Sequence, residues 1–404
     1  MKSFKLFSIG CKIVFLSHIL AFFNSVAPLC NEKKLKSETK TLIFRFNQKS
    51  LNDFIKMMFK NQKKPIHYFF ILLLFIGPAL FAQYNFTKVA IALEQAQRTL
   101  GKNMVVLVYK DGKIIYKKES GKFTEQTQEP IASCSKWLTA ALVMTFIDEG
   151  KLSLDDKVSF YLPSFKIAGK NTITIKQCMS QMTGIHQEPI KLMKLLTQKK
   201  YKTLEEEVND FASKRTNDFA NGTAFFYGNV GLNIAARVIE VIGKKDFSQL
   251  MKERILQPLE MNNTHFDKNN EAPNPSGGAI SSATEYMNFL VMLLNKGRFK
   301  GKQILSEKAI ATLKEPQTSL DKIKYAPKVA EGFNYGLGCW IEDTDSKGNS
   351  TVVSCPGLFG TWPLVDYQNG YTCLFFVKSL LSEQKATSYL VIKKSMDSVL
   401  ATKK

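Results

Sequence analysis

The chain has 404 residues, 45% apolar and 23% charged, with 56 Lys and Arg against 35 Asp and Glu for a formal net charge of +21. That composition belongs to a globular protein, long enough for two or three domain-sized units or for one large enzyme domain with an insertion. The charge is uneven: residues 1–82 hold 13 Lys and Arg against 3 Asp and Glu, and the remainder carries neither a clustered basic helix nor a nucleic-acid motif, which excludes a nucleic-acid partner.

Two apolar stretches come first. Residues 13–29 are interrupted by His18 and Asn24. The second runs from Tyr68 to Ala82, behind Lys60, Lys63 and Lys64, and meets Gln83. A basic flank, a short apolar core and a small residue before a polar one make an export signal. The run is shorter than the roughly 20 residues a membrane span needs. Met57 and Met58 lie just upstream. Residues 1–57 therefore read as a non-native or membrane-proximal extension, 58–82 as a signal peptide or anchor, and 83–404 as the functional body. Two membrane anchors are the alternative. The expected location is exported, periplasmic or membrane-associated, with anchoring through the N-terminus left open.

Residues 86–100 place Val89, Leu93, Ala96 and Leu100 at helical spacing. Residues 104–109 and 113–118 flank Lys110-Asp111-Gly112, a hairpin signal. Next comes Ser133-Cys134-Ser135-Lys136, opening an apolar run that ends near Gly150, a helix-terminating residue. Residues 152–163 read as loop, and 172–260 as mostly helical. Further helices are expected over 282–295 and 306–313, strands over 335–341, 350–354 and 370–378, and a closing helix over 382–400. Strands thus sit early and late with helices between. That pattern predicts an α+β fold, one sheet built from both chain ends and flanked by helices, with a helical insertion over about 151–275.

Ser-x-x-Lys at the start of a helix carries chemistry. Lys136 lies about one turn after Ser133, on the same face. A hydroxyl needs an adjacent base to act as nucleophile, and a neutral lysine can serve. The helix start also offers free N–H groups for a developing oxyanion. By itself the motif also suits a capped helix with a solvated lysine. A second element, Tyr227-Gly228-Asn229, lies on a loop before the helical run 230–240. A tyrosine there can pass protons if a nearby cation lowers its pKa.

Together these segments resemble the serine β-lactamase-related family: class C β-lactamases, D,D-carboxypeptidases, D-amino-acid peptidases, certain esterases and nylon-oligomer hydrolases. The resemblance covers roughly residues 86–380. It rests on Ser133-x-x-Lys136, Gly150-Lys151-Leu152-Ser153-Leu154-Asp155-Asp156, the segment 173–185, Tyr227-Gly228-Asn229, the segment 257–264, and Gly277-Gly278 with Ser281-Ser282-Ala283-Thr284. It implies a β-lactamase/transpeptidase-like fold with an antiparallel sheet. It also implies a penicillin-binding-like serine hydrolase that acts through an acyl-enzyme, with no cofactor and no metal. Ser133 would be acylated, Lys136 its base, and Tyr227 the proton shuttle and deacylation base. Which of Lys136 and Tyr227 is the base in acylation stays open. Asn229 would hold the substrate amide or Lys136.

The family's third motif, Lys-Thr-Gly or His-x-Gly on an edge strand, is altered. The matching place reads Ser354-Cys355-Pro356-Gly357-Leu358-Phe359-Gly360-Thr361, with Cys355 where the cation usually stands. Pro356 has no N–H, which an edge strand tolerates. Gly357 would let a substrate backbone approach, and the N–H of Leu358, with that of Ser133, would form the oxyanion hole. Cys355, Gly357 and Leu358 are thus the remaining substrate-binding candidates, Cys355 either as a weak polar contact or simply as a small filler, since a free cysteine usually behaves as a small hydrophobe. Without the cation a substrate carboxylate loses its partner, and the field that would lower the Lys136 and Tyr227 pKa values weakens. The expected substrate is a small-molecule or peptide-like ester or amide. The alternative is a non-catalytic or D,D-peptidase-type penicillin-binding relative that binds peptidoglycan peptides.

Seven cysteines, at 11, 30, 134, 178, 339, 355 and 373, show no C-x-x-C spacing. A bridge between Cys134 and Cys355 is conceivable. No G-x-S-x-G occurs, and the body holds His186 and His265 alone, which argues against a Ser-His-Asp hydrolase. His186 is expected near the mouth of the cleft, as a solvated loop residue or a substrate contact.

Overall fold

The computed structural model describes residues 84–189, 200–266, 271–380 and 383–401. The extension 1–57 and the signal segment 58–82 lie outside the described residues. The first helix, α1 (Thr87–Leu100), buries Val89, Leu93, Ala96 and Leu100 along one stripe, as its spacing predicts. Strands β1 (Met104–Lys110) and β2 (Lys113–Ser120) follow. Between them Asp111 and Gly112 both take positive φ, 52° and 81°. That is the turn a two-residue hairpin needs, and Asp-Gly is a preferred pair for it.

A 3₁₀ turn, Ala132–Cys134, leads into α2 (Ser135–Asp148), which is buried on every side from Ser135 to Phe146. A helix apolar all round belongs at the centre of a large domain. Helix α3 (Ile175–Met179) starts from a capping box made by Thr174 and Gln177. Thr203 caps α4 (Leu204–Lys214), and Asn229 precedes α5 (Val230–Gly243). Ser282 and Ser306 cap α6 (Ala283–Leu294) and α7 (Glu307–Leu313), each accepting an N–H three residues on. The late strands are β3 (Asn334–Tyr335), β4 (Trp340–Thr344), β5 (Ser350–Ser354), β6 (Trp362–Asp366) and β7 (Tyr371–Val377), followed by α8 (Glu383–Leu400).

These strands form one sheet in the order β2-β1-β7-β6-β5-β4-β3, antiparallel throughout. The two chain ends meet at the β1–β7 pair, where Met104 faces Val377 and Lys110 faces Tyr371. Alternation along β1 divides two cores. Val105 and Leu107 point into the core that holds α2 and α6; Met104, Val106 and Val108 point to the layer of α1 and α8. The fold is β-lactamase/transpeptidase-like, helices on both faces of an antiparallel sheet.

Several local expectations are corrected. The single strand read over 335–341 is two strands broken at Gly336-Leu337-Gly338-Cys339. The Gly336 N–H bonds the Cys339 carbonyl at 2.9 Å, and Gly338 takes φ 79° against α2, where a Cβ would sit 2.6 Å from the Ala140 Cβ. Strand β6 lies outside the strands expected from the sequence, and it contains Pro363. Its backbone faces Cys355, whose N–H donates to the Pro363 carbonyl at 3.3 Å, just beyond the last β5–β6 pair at Ser354 and Leu364. The missing N–H therefore falls past the end of that ladder. Within 152–163, read as loop, residues Val158–Tyr161 form a helical turn. Nor does the third motif lie on an edge strand. β5 is interior, paired on both sides, and Cys355–Gly357 leave its C-terminal end as a loop.

Helices α3 and α5 touch closely at Gly231, where a Cβ would meet the Cys178 carbonyl oxygen at 2.1 Å. Alanine normally favours a helix over glycine by about 1 kcal/mol. Here the clash with backbone outweighs that gain, and Gly231→Ala is expected to lower stability by about 1–3 kcal/mol in denaturant unfolding. An unchanged or raised midpoint would contradict this packing.

Candidate active site

The turn before α2 is tied from three sides. The Ile131 N–H bonds the Ala279 carbonyl at 3.0 Å. The Ser135 hydroxyl donates to the Ala132 carbonyl at 2.6 Å and accepts the Ala279 N–H at 3.0 Å. The Tyr286 hydroxyl donates to the Cys134 carbonyl at 2.9 Å. Ala132 takes φ 46°, a left-handed conformation unusual for a residue with a side chain. Such strain persists only where its surroundings over-determine it. The next residue is Ser133, which lies in the 3₁₀ turn leading into α2 rather than in the helix itself. It is 8% exposed, whereas Lys136, one turn on, is wholly buried.

The Lys136 amine has three neighbours. Its Nζ lies 3.3 Å from Ser133 Oγ, 3.1 Å from Asn229 Oδ1 and 2.9 Å from the Ser276 carbonyl oxygen. Burial lowers its pKa to about 7. A neutral amine has two N–H donors and one lone pair. Asn229 Oδ1 and the Ser276 carbonyl can only accept, so they use both donors. The lone pair is left for the Ser133 hydroxyl, the one neighbour able to donate.

Tyr227 lies beside this pair, its ring centre 4.9 Å from Lys136 Nζ and stacked in a tilted contact on Trp340. With Cys355 in place of the third-motif cation a weakened field is expected at this tyrosine, and burial acts in the same direction. Burial pushes the phenol well above its ordinary value, and hydrogen bonding to Ser133 and Trp340 only partly opposes the rise. Tyr227 is held as a neutral phenol.

Cys355 is also neutral at ordinary pH, its thiol pushed by burial up to about 12. Its Sγ contacts the Ser133 carbonyl at 3.1 Å and the Gly338 carbonyl at 3.4 Å. The thiol thus braces the backbone of the serine turn from beneath. Gly357 has a similar place: a Cβ there would come within 2.2 Å of the Ile131 carbonyl oxygen. The protein's own chain by itself already requires glycine here. The Gly357 N–H bonds the Thr361 carbonyl at 2.8 Å and the Gly360 N–H bonds the Gly357 carbonyl at 2.9 Å, a tight turn that carries half-buried Leu358. Cys134 and Cys355 are free thiols, not a bridge. Loss of a third-motif cation does not leave Lys136 fully charged, because burial alone moves its titration.

His186 is exposed and its Nδ1 lies 2.8 Å from Asp218 Oδ2. The His265 Nδ1 meets the Asn263 carbonyl at 2.9 Å. Among the described residues no group of three His, Cys, Asp or Glu could hold a metal ion. Sequence reasoning missed Ser276. Its loop is strapped to α2 by the Thr139 hydroxyl, which donates to the Pro275 carbonyl at 2.7 Å. The signal available was the run Asn274-Pro275-Ser276-Gly277-Gly278, a turn whose carbonyls need partners outside regular structure.

Comparison with known proteins follows the same lines. The sequence model of the family described as Beta-lactamase matches residues 91–391. A candidate β-lactamase from Bacteroides dorei, known from its crystal structure, superposes with a TM-score of 0.70 at 26% identity, over 79% of this chain and 100% of its own. EstCE1, a hydrolase with promiscuous acyltransferase activity, gives a TM-score of 0.64 at 19% identity, over 76% of this chain and 97% of its own; that likeness concerns the fold. Protein flp of Staphylococcus aureus is 28% identical over 179 residues, 41% of this chain and 35% of the relative. The match thus spans about a third of the length of that curated relative.

Proposed function

The chain belongs to the Beta-lactamase family, a family of serine hydrolases, and we propose that it cleaves an ester or small amide through an acyl-enzyme on Ser133. The observation that carries the reading is the Lys136 amine. It is fully buried, titrates near neutrality, and has its two N–H groups committed to Asn229 and Ser276. In acylation Ser133 Oγ attacks the substrate carbonyl carbon while its proton passes to Lys136. Negative charge gathers on the carbonyl oxygen, opposite the N–H groups of Ser133 and Leu358. The neutral Tyr227 phenol hands a proton to the leaving group and recovers one from Lys136. Water then cleaves the acyl-enzyme by the same proton path in reverse.

Substrate choice follows from the third motif. A neutral thiol turned toward the Ser133 carbonyl offers a substrate carboxylate no charged partner. Esters and small amides without that carboxylate suit the site better than penicillins or peptides ending in a D-amino acid. The run from Tyr68 to Ala82 supports export to the periplasm or membrane surface. The altered third motif is also the support for the second reading, a non-catalytic relative that binds its ligand without turning it over.

Labelling of the purified protein with a fluorophosphonate and, in parallel, a fluorescent penicillin separates these. The expected result is a phosphonate adduct on Ser133, located by peptide mass spectrometry, and little penicillin adduct. Both adducts would return the protein to the penicillin-recognising enzymes. Neither adduct, in folded protein, would sink the hydrolase reading.

A further inference from the structure

Lys136 is one end of a buried hydrogen-bond chain that runs out of the site through α5 and ends on a carboxyl of α4. The Ser276 carbonyl accepts from Lys136, and the Ser276 hydroxyl lies 2.7 Å from Asn233 Oδ1 and 3.0 Å from the Asn229 carbonyl. Asn233 follows Asn229 by four residues on α5, so both face the same way. Its Nδ2 donates to Glu207 Oε2 at 2.9 Å. Ser276 and Asn233 are wholly buried, and Glu207 nearly so.

We propose that Glu207 is a positioning residue for the Ser133–Lys136 pair: through Asn233 and Ser276 its carboxyl orients the carbonyl that holds the amine, and its negative charge draws that amine toward the protonated form. The proposal rests on the reading of Lys136 as the base of Ser133. An ionised carboxyl only accepts. It therefore sets Asn233 with Nδ2 toward Glu207 and Oδ1 toward the Ser276 hydroxyl, which donates away from the site. A protonated Glu207 can donate instead. Asn233 then reverses, and the Ser276 hydroxyl turns to its other acceptor, the Asn229 carbonyl. The chain thus has two settings, and the residue that caps Lys136 sits at their junction.

The switch falls in a useful range. Burial pushes the Glu207 carboxyl up to about 7, opposed by its bond to Asn233 and by Arg215, and reinforced by Asp210. Tyr201 also feels the Glu207 charge. On α5, Arg237 is engaged with Glu205 and Glu240. Around the other end stand the thiols of Cys134 and Cys355 and the phenol of Tyr227, all held neutral by burial. Glu207 and Lys136 thus change charge over the same pH range. A glutamine at 207 would satisfy Asn233 without the cost of a buried charge, so the carboxyl is what the proposal must explain.

The test is the Lys136 titration in the full chain, followed by NMR of protein labelled at lysine Cε, with the pH profile of fluorophosphonate labelling as a second readout. Glu207→Gln keeps an acceptor for Asn233 and removes the charge. Where Glu207 is ionised, at and above pH 7, the substitution should lower the Lys136 pKa by up to about half a unit, and so raise the labelling rate at pH 7 by up to about 1.5-fold, with little change at pH 6 where the carboxyl is already protonated. In a Ser276→Ala background, which keeps the carbonyl and cuts the chain, the same substitution should move the titration by less than half as much. An unmoved Lys136 titration, or an equal shift with and without the Ser276 hydroxyl, overturns the proposal. A shifted titration without any Ser133 adduct would support the link and sink the hydrolase reading instead.

Discussion

Ser133→Ala is expected to abolish the covalent adduct and to lower hydrolysis of a small ester by on the order of 10³-fold or more. The hydroxyl is the only atom group removed, and what it does structurally is small. Ser133 Oγ is one of three neighbours of the Lys136 amine, and the other two remain. The serine turn is held by Ser135, Ala279 and Tyr286, none of which touches the lost oxygen. Unfolding midpoints of the variant and the wild type should therefore agree within about 1 kcal/mol. Loss of activity with stability intact places the chemistry at Ser133. Retained hydrolysis would assign it elsewhere, and an adduct on another residue would identify where.

Lys136→Met carries the second large effect. Methionine keeps most of the volume and removes the amine. The rate kcat/KM should fall by about 10²–10⁴-fold, the usual worth of a positioned base. In the wild type the neutral amine is the working form, so activity should rise as pH increases through about 7. The residual activity of the Met variant should lack that limb.

Stability gives an independent measure of the same amine. It titrates at about 7 in the fold and near 10.4 in an unfolded chain. Between those values the unfolded state binds a proton that the folded state does not. Stability contributed by this residue is therefore lost as pH falls from about 10.4 to about 7, and is level below. The whole span is about 4–5 kcal/mol. Met has no such dependence, so the variant should gain on the wild type by up to that amount over this range. The unpaired Asn229 Oδ1 and Ser276 carbonyl cost about 1–3 kcal/mol each. That cost does not vary with pH, so the slope is the diagnostic quantity. Parallel stability curves for the two proteins would show that the amine is not desolvated.

Much of the scaffold was legible because it rests on local rules. Asp111-Gly112 closes a hairpin through its own backbone preference, and Ser282 and Ser306 start helices with their own hydroxyls. What local rules misjudged were positions where a neighbour distant in the chain changes the rule. Pro363 sits in a strand because its ladder partner on β5 has already ended, and Gly336 and Gly338 break a strand where the end of α7 lies against the first and α2 against the second. For Cys355 the motif left a weak polar contact and a small filler open; in the fold the residue is buried and its thiol faces the Ser133 carbonyl.

The sequence by itself determined which residue types stand at the serine turn, the spacing that brings Lys136 to Ser133, and the order of segments that marks the family. Three residues of separation on one helical path is a local fact, so it needs no other part of the chain. Only the tertiary structure decided the charge on those groups. Lys136 is held by Asn229, 93 residues on, and by Ser276, 140 residues on, and is sealed from water by the packed helices. Desolvation is a property of everything that surrounds a group, and it lowers the Lys136 amine and raises the Tyr227 phenol in a way that no motif carries.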